Sequence, residues 1–397
     1  MDKAEMDKVM DKWLEKANEN IGEVRTHKTI GPYPVNVDDY YGQPMNEWVT
    51  TDSIKHFASG MGDRNPLWWN EDYAKKTKWG GIIGPPTFVD WVAAPYTCRK
   101  VRSPFEHGFV GLPTGPNRKM FEVIRPGDRI KVVDKWLGMK EIKTKDERFR
   151  FFISTEERTY TNQKKQTVAI INANWGILAT YVEAKTLGKL FGGAGRERKK
   201  ITNEEREAII KGYETETRRG YDTLFWEDVK VGEEVNLHTV GPLTAWDTAA
   251  FLEAIPGRAI AFDDEWERIK TDFQFSWLDP NLNAWTTGGE GHFRDGGGHS
   301  HMITGGYSFG FGGQQEGLIC RAICNWMGDD GFVKKMDSQF RAPSTWSDLL
   351  ITKGKVTNKS VESDEHLVNL EFRCETKDAT LLTSSKVTVL LPSRKSY

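Results

Sequence analysis

Cysteine is scarce in this sequence: Cys98, Cys320, Cys324 and Cys374 are the only four among 397 residues. The pair in "ICRAIC" is spaced for one face of a strand or helix, not for a zinc knuckle. A reduced, cytoplasmic protein is the expectation. An excess of one charge is also lacking, since 55 Lys and Arg face 57 Asp and Glu for a formal net charge of −2. Neither a nucleic-acid surface nor a polybasic membrane contact is indicated. No apolar run approaches the length of a membrane span. Glycine (38 residues) and tryptophan (15) are plentiful, and aromatic richness goes with large cores and interfaces. The length suits two ordinary domains, or one domain and its duplicate.

The N-terminal stretch "MDKAEMDKVMDKWLEKANEN" places Met6, Val9, Met10, Trp13, Leu14 and Ala17 at helical spacing. Acids from the second residue onward make it an amphipathic helix and not a signal peptide. Residues 183–220 form a connector, with Thr202 and Glu205 as a capping box for a helix. They divide the chain into halves, 1–182 and 221–397. Each half opens on a short capped helix, "TTDSIKHFASGMG" in one and "LTAWDTAAFLEAIPG" in the other. Ile54, Phe57 and Ala58 share a face of the first, and Trp246, Phe251 and Leu252 a face of the second. A glycine-rich segment and a longer apolar helix follow, then strand-like runs. In the first half these are "DRIKVVDKW", "ERFRFFISTEERTYT" and "QTVAIINANW". In the second they are "LICRAICNWM", "DLLITKGKVTN", "HLVNLEFRCET" and "SSKVTVLLP". Helix then antiparallel strands, twice over, predicts an α+β duplicate in which each sheet wraps a helix.

One further lack sets the functional problem. In "GDRNPLWWNEDYA" Asp63 and Asn65-Pro66 stand where an acid and its turn belong, but five residues after the acid the chain has Trp68, not a histidine. On its own residues Asp63 is a turn or cap group before Asn-Pro.

The order of elements, with "GMGDRNPLWWNEDYAKKTKWGGIIGPPTF", "WEDVKVGEEVNLHTVGP" and "NWMGDDGFVKKM" upon it, resembles the double hotdog acyl dehydratases. These are the MaoC-like and FAS1-like dehydratase family, also called R-specific enoyl-CoA hydratases. The resemblance covers most of residues 30–393. It implies a tandem hotdog, in which antiparallel sheets each wrap a central helix and an N-terminal helix is added. It also implies a catalytic Asp, a His five residues later, and a backbone N–H near the start of the hotdog helix for the thioester oxygen. In the first half the aligned positions are Asp63, Trp68 and Pro86, and proline has no N–H, so the resemblance implies a degenerate copy of the site there. In the second half His292 is the aligned histidine. Tyr307 and Gly310 match the Tyr-x-x-Gly of the family, with Gly310 eighteen residues after His292 to supply the N–H. The acid did not follow, because Thr287 stands five residues before His292. Glu290 and Asp295 are the first candidates to replace it, ahead of an acid from the first half.

The stretch between helix and histidine is 30 residues longer in the second half than in the first. It could be a lid, a substrate wall or an interface, and Asp263, Asp264 or Asp279 within it could donate the acid. His299 and His301 in "RDGGGHSHM" belong to a loop at the mouth of the site rather than to a metal centre. Trp68, Trp69, Trp79 and Phe88 line or fill an acyl pocket in the first half. Asp329 and Asp330 are turn residues.

The implied chemistry is reversible addition of water to a 2-enoyl thioester carried on CoA or an acyl carrier protein, without a further cofactor. An imidazole of ordinary pKa about 6.5 can accept and return the proton near neutrality. The partners implied are an acyl-CoA substrate and a second copy of the chain, in a homodimer or higher oligomer, with no nucleic acid and no membrane. A thioesterase or lyase on the same fold, or a non-catalytic thioester-binding subunit, are the competing functions.

Overall fold

The structure, a computed structural model, describes residues 2–26, 46, 48–92, 109–181, 198, 200–255, 276–279, 282–297 and 300–395. Alternation of inward apolar and outward polar residues builds long strands in both halves. The first half supplies β1 (Val24–Thr26), β2 (Phe109–Pro113), β3 (Asn117–Met120), β4 (Lys131–Ile142), β5 (Phe149–Thr161) and β6 (Thr167–Thr180). The second supplies the short hairpin β7 (Ser276–Asp279) and β8 (Ala284–Thr287). It then adds β9 (Phe332–Phe340), β10 (Leu350–Glu362), β11 (Glu365–Thr376) and β12 (Leu381–Leu390).

Ten of these strands form one antiparallel sheet in the order β1-β4-β5-β6-β3-β9-β12-β11-β10, with β2 also on β6. The seam between halves is the pairing of β3 with β9, where Arg118 lies opposite Met336. The outer edge of β10 is covered by the stretch leading into the second half, through Val235 N–H to Gly354 O and Leu237 N–H to Thr352 O. Covering a long edge in this way removes a template for unwanted pairing.

The helix Gly312–Met327 is the centre of the second half, and twelve of its sixteen residues are buried. Its C-terminal portion is the "LICRAICNWM" assigned above to a strand, and that assignment is corrected here. A helix enclosed by a sheet is apolar nearly all round, so its pattern has no polar stripe by which to separate it from a buried strand. The "ICRAIC" cysteines lie one turn apart on it as free, buried thiols.

The N-terminal helix forms as expected over Lys3–Asn18, with Asp2 and Glu5 as a capping box. Met10, Trp13 and Ala17 pack on Trp136, Met139 and Phe152. The connector helix Asn203–Glu214 carries the Thr202–Glu205 capping box. The two short helices, Thr51–Gly60 and Ala245–Glu253, are capped by Thr50 and Thr244. They cross where a Cβ on Gly60 would meet Ala254 Cβ at 2.4 Å. Ile54, Phe57 and Ala58 are buried together. In the second helix Phe251 is buried, but Trp246 is 83% exposed, contrary to the expected face. Of that helix only Thr248 and Phe251 are buried. Among the described residues no helix is long and apolar enough to cross a membrane.

A buried ionic group ties the halves together. Arg118 on β3 donates to Asp90 in the 3-10 turn Pro86–Asp90 and to Glu316 on the central helix. All three side chains are largely shielded from water. Burial pushes the Asp90 carboxyl up, against the pull of the Arg118 charge. Its neighbour Glu316 pushes the same way as burial.

Candidate active site

In the first half, Gly62 takes a positive φ of 61° to end the helix Thr51–Gly60, which places Asp63 at the start of a tight turn. One carboxylate oxygen of Asp63 accepts the Asn65 N–H at 2.9 Å. The other accepts the Trp68 indole N–H at 2.9 Å, and the Asp63 carbonyl takes the Trp69 indole N–H at 2.7 Å. Asn65 in turn caps the following turn by accepting the Leu67 N–H. Trp68 therefore fills the histidine's place in the pair with a donor that has no lone pair to accept a proton. Burial raises the Asp63 carboxyl above its ordinary range, opposed by the two N–H groups and by Arg321 and Arg218.

The surroundings of this turn are nearly filled. The cavity bordered by Asn65, Trp68, Trp79, Pro86 and Val89 measures about 40 Å3, room for a few water molecules at most. Trp68 and Trp79 border it, while Trp69 turns toward the surface and Phe88 is a core residue against Phe57. Of the two readings open for these residues, lining a pocket or filling it, Phe88 takes the second, and Trp69 does neither. Asp329 also borders this cavity, with the Tyr73 hydroxyl donating to one of its oxygens at 2.6 Å. Asp330 accepts from Thr223. Both are turn residues, between a helix and a strand.

In the second half, His292 closes the 3-10 turn Gly288–His292. Its Nδ1 lies 2.8 Å from the Phe309 carbonyl. A carbonyl can only accept, so Nδ1 carries the proton and Nε2 is the basic atom of the neutral ring. The imidazole stacks on Phe311 with centroids 3.7 Å apart and leans on Phe309 at 4.2 Å. The Phe309 N–H returns to the Gly291 carbonyl, so two hydrogen bonds pin the histidine turn to the segment that leads into the central helix.

That segment also corrects the oxyanion donor. The Gly310 N–H is occupied by the Ser344 carbonyl at 2.9 Å. The helix begins two residues later, with Phe311 as its N-cap. The Phe311 N–H goes to the Gln314 side chain, and the Gln314 N–H returns to the Phe311 carbonyl. Among the described residues, the N–H groups of Gly312 and Gly313 have no acceptor. They point outward at the positive end of a sixteen-residue helix, as the first N–H groups of any helix do. Side chains are not tolerated there. A Cβ on Gly312 would meet the Phe340 ring at 2.7 Å, and one on Gly313 the Phe251 ring at 2.7 Å. "FGFGG" carries the signal, but Gly310, eighteen residues after His292, is the first of its glycines, and the helix starts at the second, Gly312.

The two acids ranked first to serve His292 are engaged elsewhere. Glu290 accepts from Arg294, which also pairs with Asp279. Asp295 accepts the Ser308 N–H at 2.8 Å, the Ser308 hydroxyl at 2.7 Å and an Arg198 N–H at 2.6 Å. These carboxylates fasten the loop that presents His292, and the direct partnership expected of them is corrected. Tyr307 is half-buried, with the Arg198 guanidinium 5.9 Å above its ring. Asp263, Asp264 and His299 lie outside the described residues, as does the His301 side chain. Among the described residues no cluster of three His, Cys, Asp or Glu could hold a metal.

Half one reaches this site through aromatic rings. Trp91, next to Asp90, meets Phe251 edge-on at 6.0 Å, and Phe251 meets Phe311 at 5.3 Å. The rings lead from the first half's 3-10 turn to His292, giving an apolar wall beside the free N–H groups.

Comparison with known proteins agrees with this architecture. Residues 39–171 match the FAS1-like dehydratase domain region. A solved structure described as a MaoC-like dehydratase superposes with a TM-score of 0.61 at 13% identity, covering 95% of this chain and 100% of the other. A conserved hypothetical protein from Mycobacterium tuberculosis, described as having a double hotdog fold, superposes with a TM-score of 0.51 at 10% identity. That match covers 93% of this chain and 96% of the other. No curated protein matches the sequence. The chain is a double-hotdog protein. The resemblance drawn from its motifs is borne out by a FAS1-like dehydratase region in the first half and by the fold of a MaoC-like dehydratase over the whole.

Proposed function

We propose that the protein catalyses reversible hydration of a 2-enoyl thioester, or dehydration of the 3-hydroxyacyl thioester, at the second-half site. His292 Nε2 takes a proton from water as its oxygen bonds to the β-carbon. The imidazolium then returns a proton to the α-carbon, so one group serves both directions. The Phe309 carbonyl orients the ring and supports the imidazolium. Negative charge gathers on the thioester oxygen as the enolate forms, and the Gly312 and Gly313 N–H groups with the helix dipole stabilise it. The apolar acyl group lies along Phe311, Phe251 and Trp91. The thioester carrier, CoA or an acyl carrier protein, is the only other chemical component required. The observation that carries this reading is one pinned imidazole stacked on the N-cap of a buried helix whose first N–H groups have no acceptor among the described residues.

The test is loss of absorbance in the enoyl-thioester band with crotonyl-CoA and an aromatic enoyl-CoA, with thiol release followed in parallel. Hydration removes the band and leaves the thioester intact. Release of free thiol would move the assignment to a thioesterase, and full activity in His292→Ala would remove the histidine from the mechanism.

A further inference from the structure

A separate cleft of about 450 Å3 lies between the halves, within the size range of small-molecule sites. Its floor is the face of the central helix formed by Gln314, Leu318 and Arg321. Ser59–Gly62 wall it from the first half, Leu243 and Ala250 from the second, and the end of the connector closes the third side. The lining changes character along the helix. Near Gln314 stand Leu243, Val240 and Leu350, and two turns further on three guanidinium groups, Arg64, Arg218 and Arg321, come together.

The charges there are unequally used. Glu216 accepts from Arg321 Nε at 2.7 Å, from the Asn325 amide at 2.7 Å and from Arg218 at 2.7 Å. Burial opposes its charge, but Arg321 leads the groups that hold its carboxyl below the ordinary range. Asp247 is taken up by the Thr244 backbone and hydroxyl as a helix cap. On the other side of the balance, Arg218 Nε is buried without a partner. Arg64 makes no ion pair or hydrogen bond among the described residues. Three guanidinium groups face the carboxylates of Glu214, Glu216 and Asp247, so the lining is formally neutral, but among the described residues Arg64 and Arg218 Nε keep donors that none of these carboxylates takes up.

We propose that this cleft binds an amphipathic monocarboxylate, its carboxylate between Arg64 and Arg218 and its apolar body along Leu318, Leu243 and Val240. A planar carboxylate suits the guanidinium fork. A dianionic phosphate would bring a second negative charge beside Glu214 and Glu216. The site is distinct from His292, and the assignment stands or falls separately from the hydratase reading.

The experiment is calorimetric titration of the full chain with octanoate, with octanol and octyl phosphate as controls. Octanoate binds with one molecule per chain, and more tightly than either control. Arg64→Gln weakens it about tenfold or more, and His292→Ala leaves it unchanged. Arg64 is exposed, so this variant folds; Ala250→Phe, which fills the cleft, abolishes binding by a second route. An affinity unchanged in both variants overturns the proposal, as does binding lost in His292→Ala or no heat at millimolar octanoate. Octanol binding as tightly as octanoate overturns the carboxylate, and tighter octyl phosphate overturns the monoanion.

Discussion

The chain contains two versions of one turn, and they have gone in opposite directions. Half one keeps the acid and has lost the base. Asp63 is buried and accepts the Trp68 and Asn65 N–H groups, and Pro86 stands where a backbone donor is needed. Half two has His292 at the position proposed for the base and Thr287 where the matching acid would stand. Its helix begins with glycines whose N–H groups have no acceptor among the described residues. Retaining a catalytic residue type is therefore not retention of its role. The carboxylate became a fastening once its neighbour could only donate, whereas the histidine kept a basic nitrogen because its own partner could only accept.

The largest effect expected from this contrast is on turnover. His292→Ala lowers kcat for the enoyl thioester by about 10²–10⁴-fold, read in the absorbance assay, while Asp63→Ala leaves turnover of the folded enzyme at the wild-type level. Trp68→His in the His292→Ala background rebuilds the acid and base spacing of half one but restores no hydration, because Pro86 offers no N–H. Recovery of activity there would break the comparison.

Next in size is the seam. Arg118→Met leaves Asp90 and Glu316 buried without their shared cation, and lowers the unfolding free energy by about 3–5 kcal/mol in urea denaturation. A smaller change comes from the fastening itself. Asp63→Ala removes the acceptor of two buried N–H groups and costs about 1–3 kcal/mol, measured in the same way.

The smallest effect is one of pH. The folded chain holds the Glu216 carboxyl below its ordinary value of 4.5. Its contribution is fully present above that unfolded value and fades as pH falls through the lower folded value. Asp63 has the opposite sign. Its folded value is raised above 3.8, so it favours folding in acid and loses that contribution as pH rises through the folded value. Glu216→Gln is accordingly less stable than wild type at about pH 7, and the gap narrows at about pH 4; urea midpoints at the two pH values decide it.

Much of the fold was legible because it is written in local patterns. Capping pairs such as Thr202 with Glu205 and alternation in β5 and β11 set elements within a few residues. The central helix escaped for the same reason that it matters: a segment wrapped by a sheet has no polar face to show its period. At the site, His292 was found by motif and spacing, and Asp63 was correctly seen as a turn group. The helix start, two residues beyond Gly310, was missed because hydrogen bonds and not composition decide where a helix begins. Glu290 and Asp295 were named as partners for His292 on sequence distance alone. Arg294, Arg198 and Ser308 claim them in space.

By itself, then, the sequence determined the repeated order of helix and strands, the capped helices, most of the long strands and the single aligned histidine, all read from residues near one another in the chain. Tertiary structure alone decided which N–H groups stay without an acceptor, which carboxylates are spent on arginines, and that Trp91 of one half reaches the ring stack of the other. Those depend on contacts between residues tens to hundreds of positions apart, where burial makes each pairing exclusive: a carboxylate held by an arginine is no longer at hand to serve a histidine.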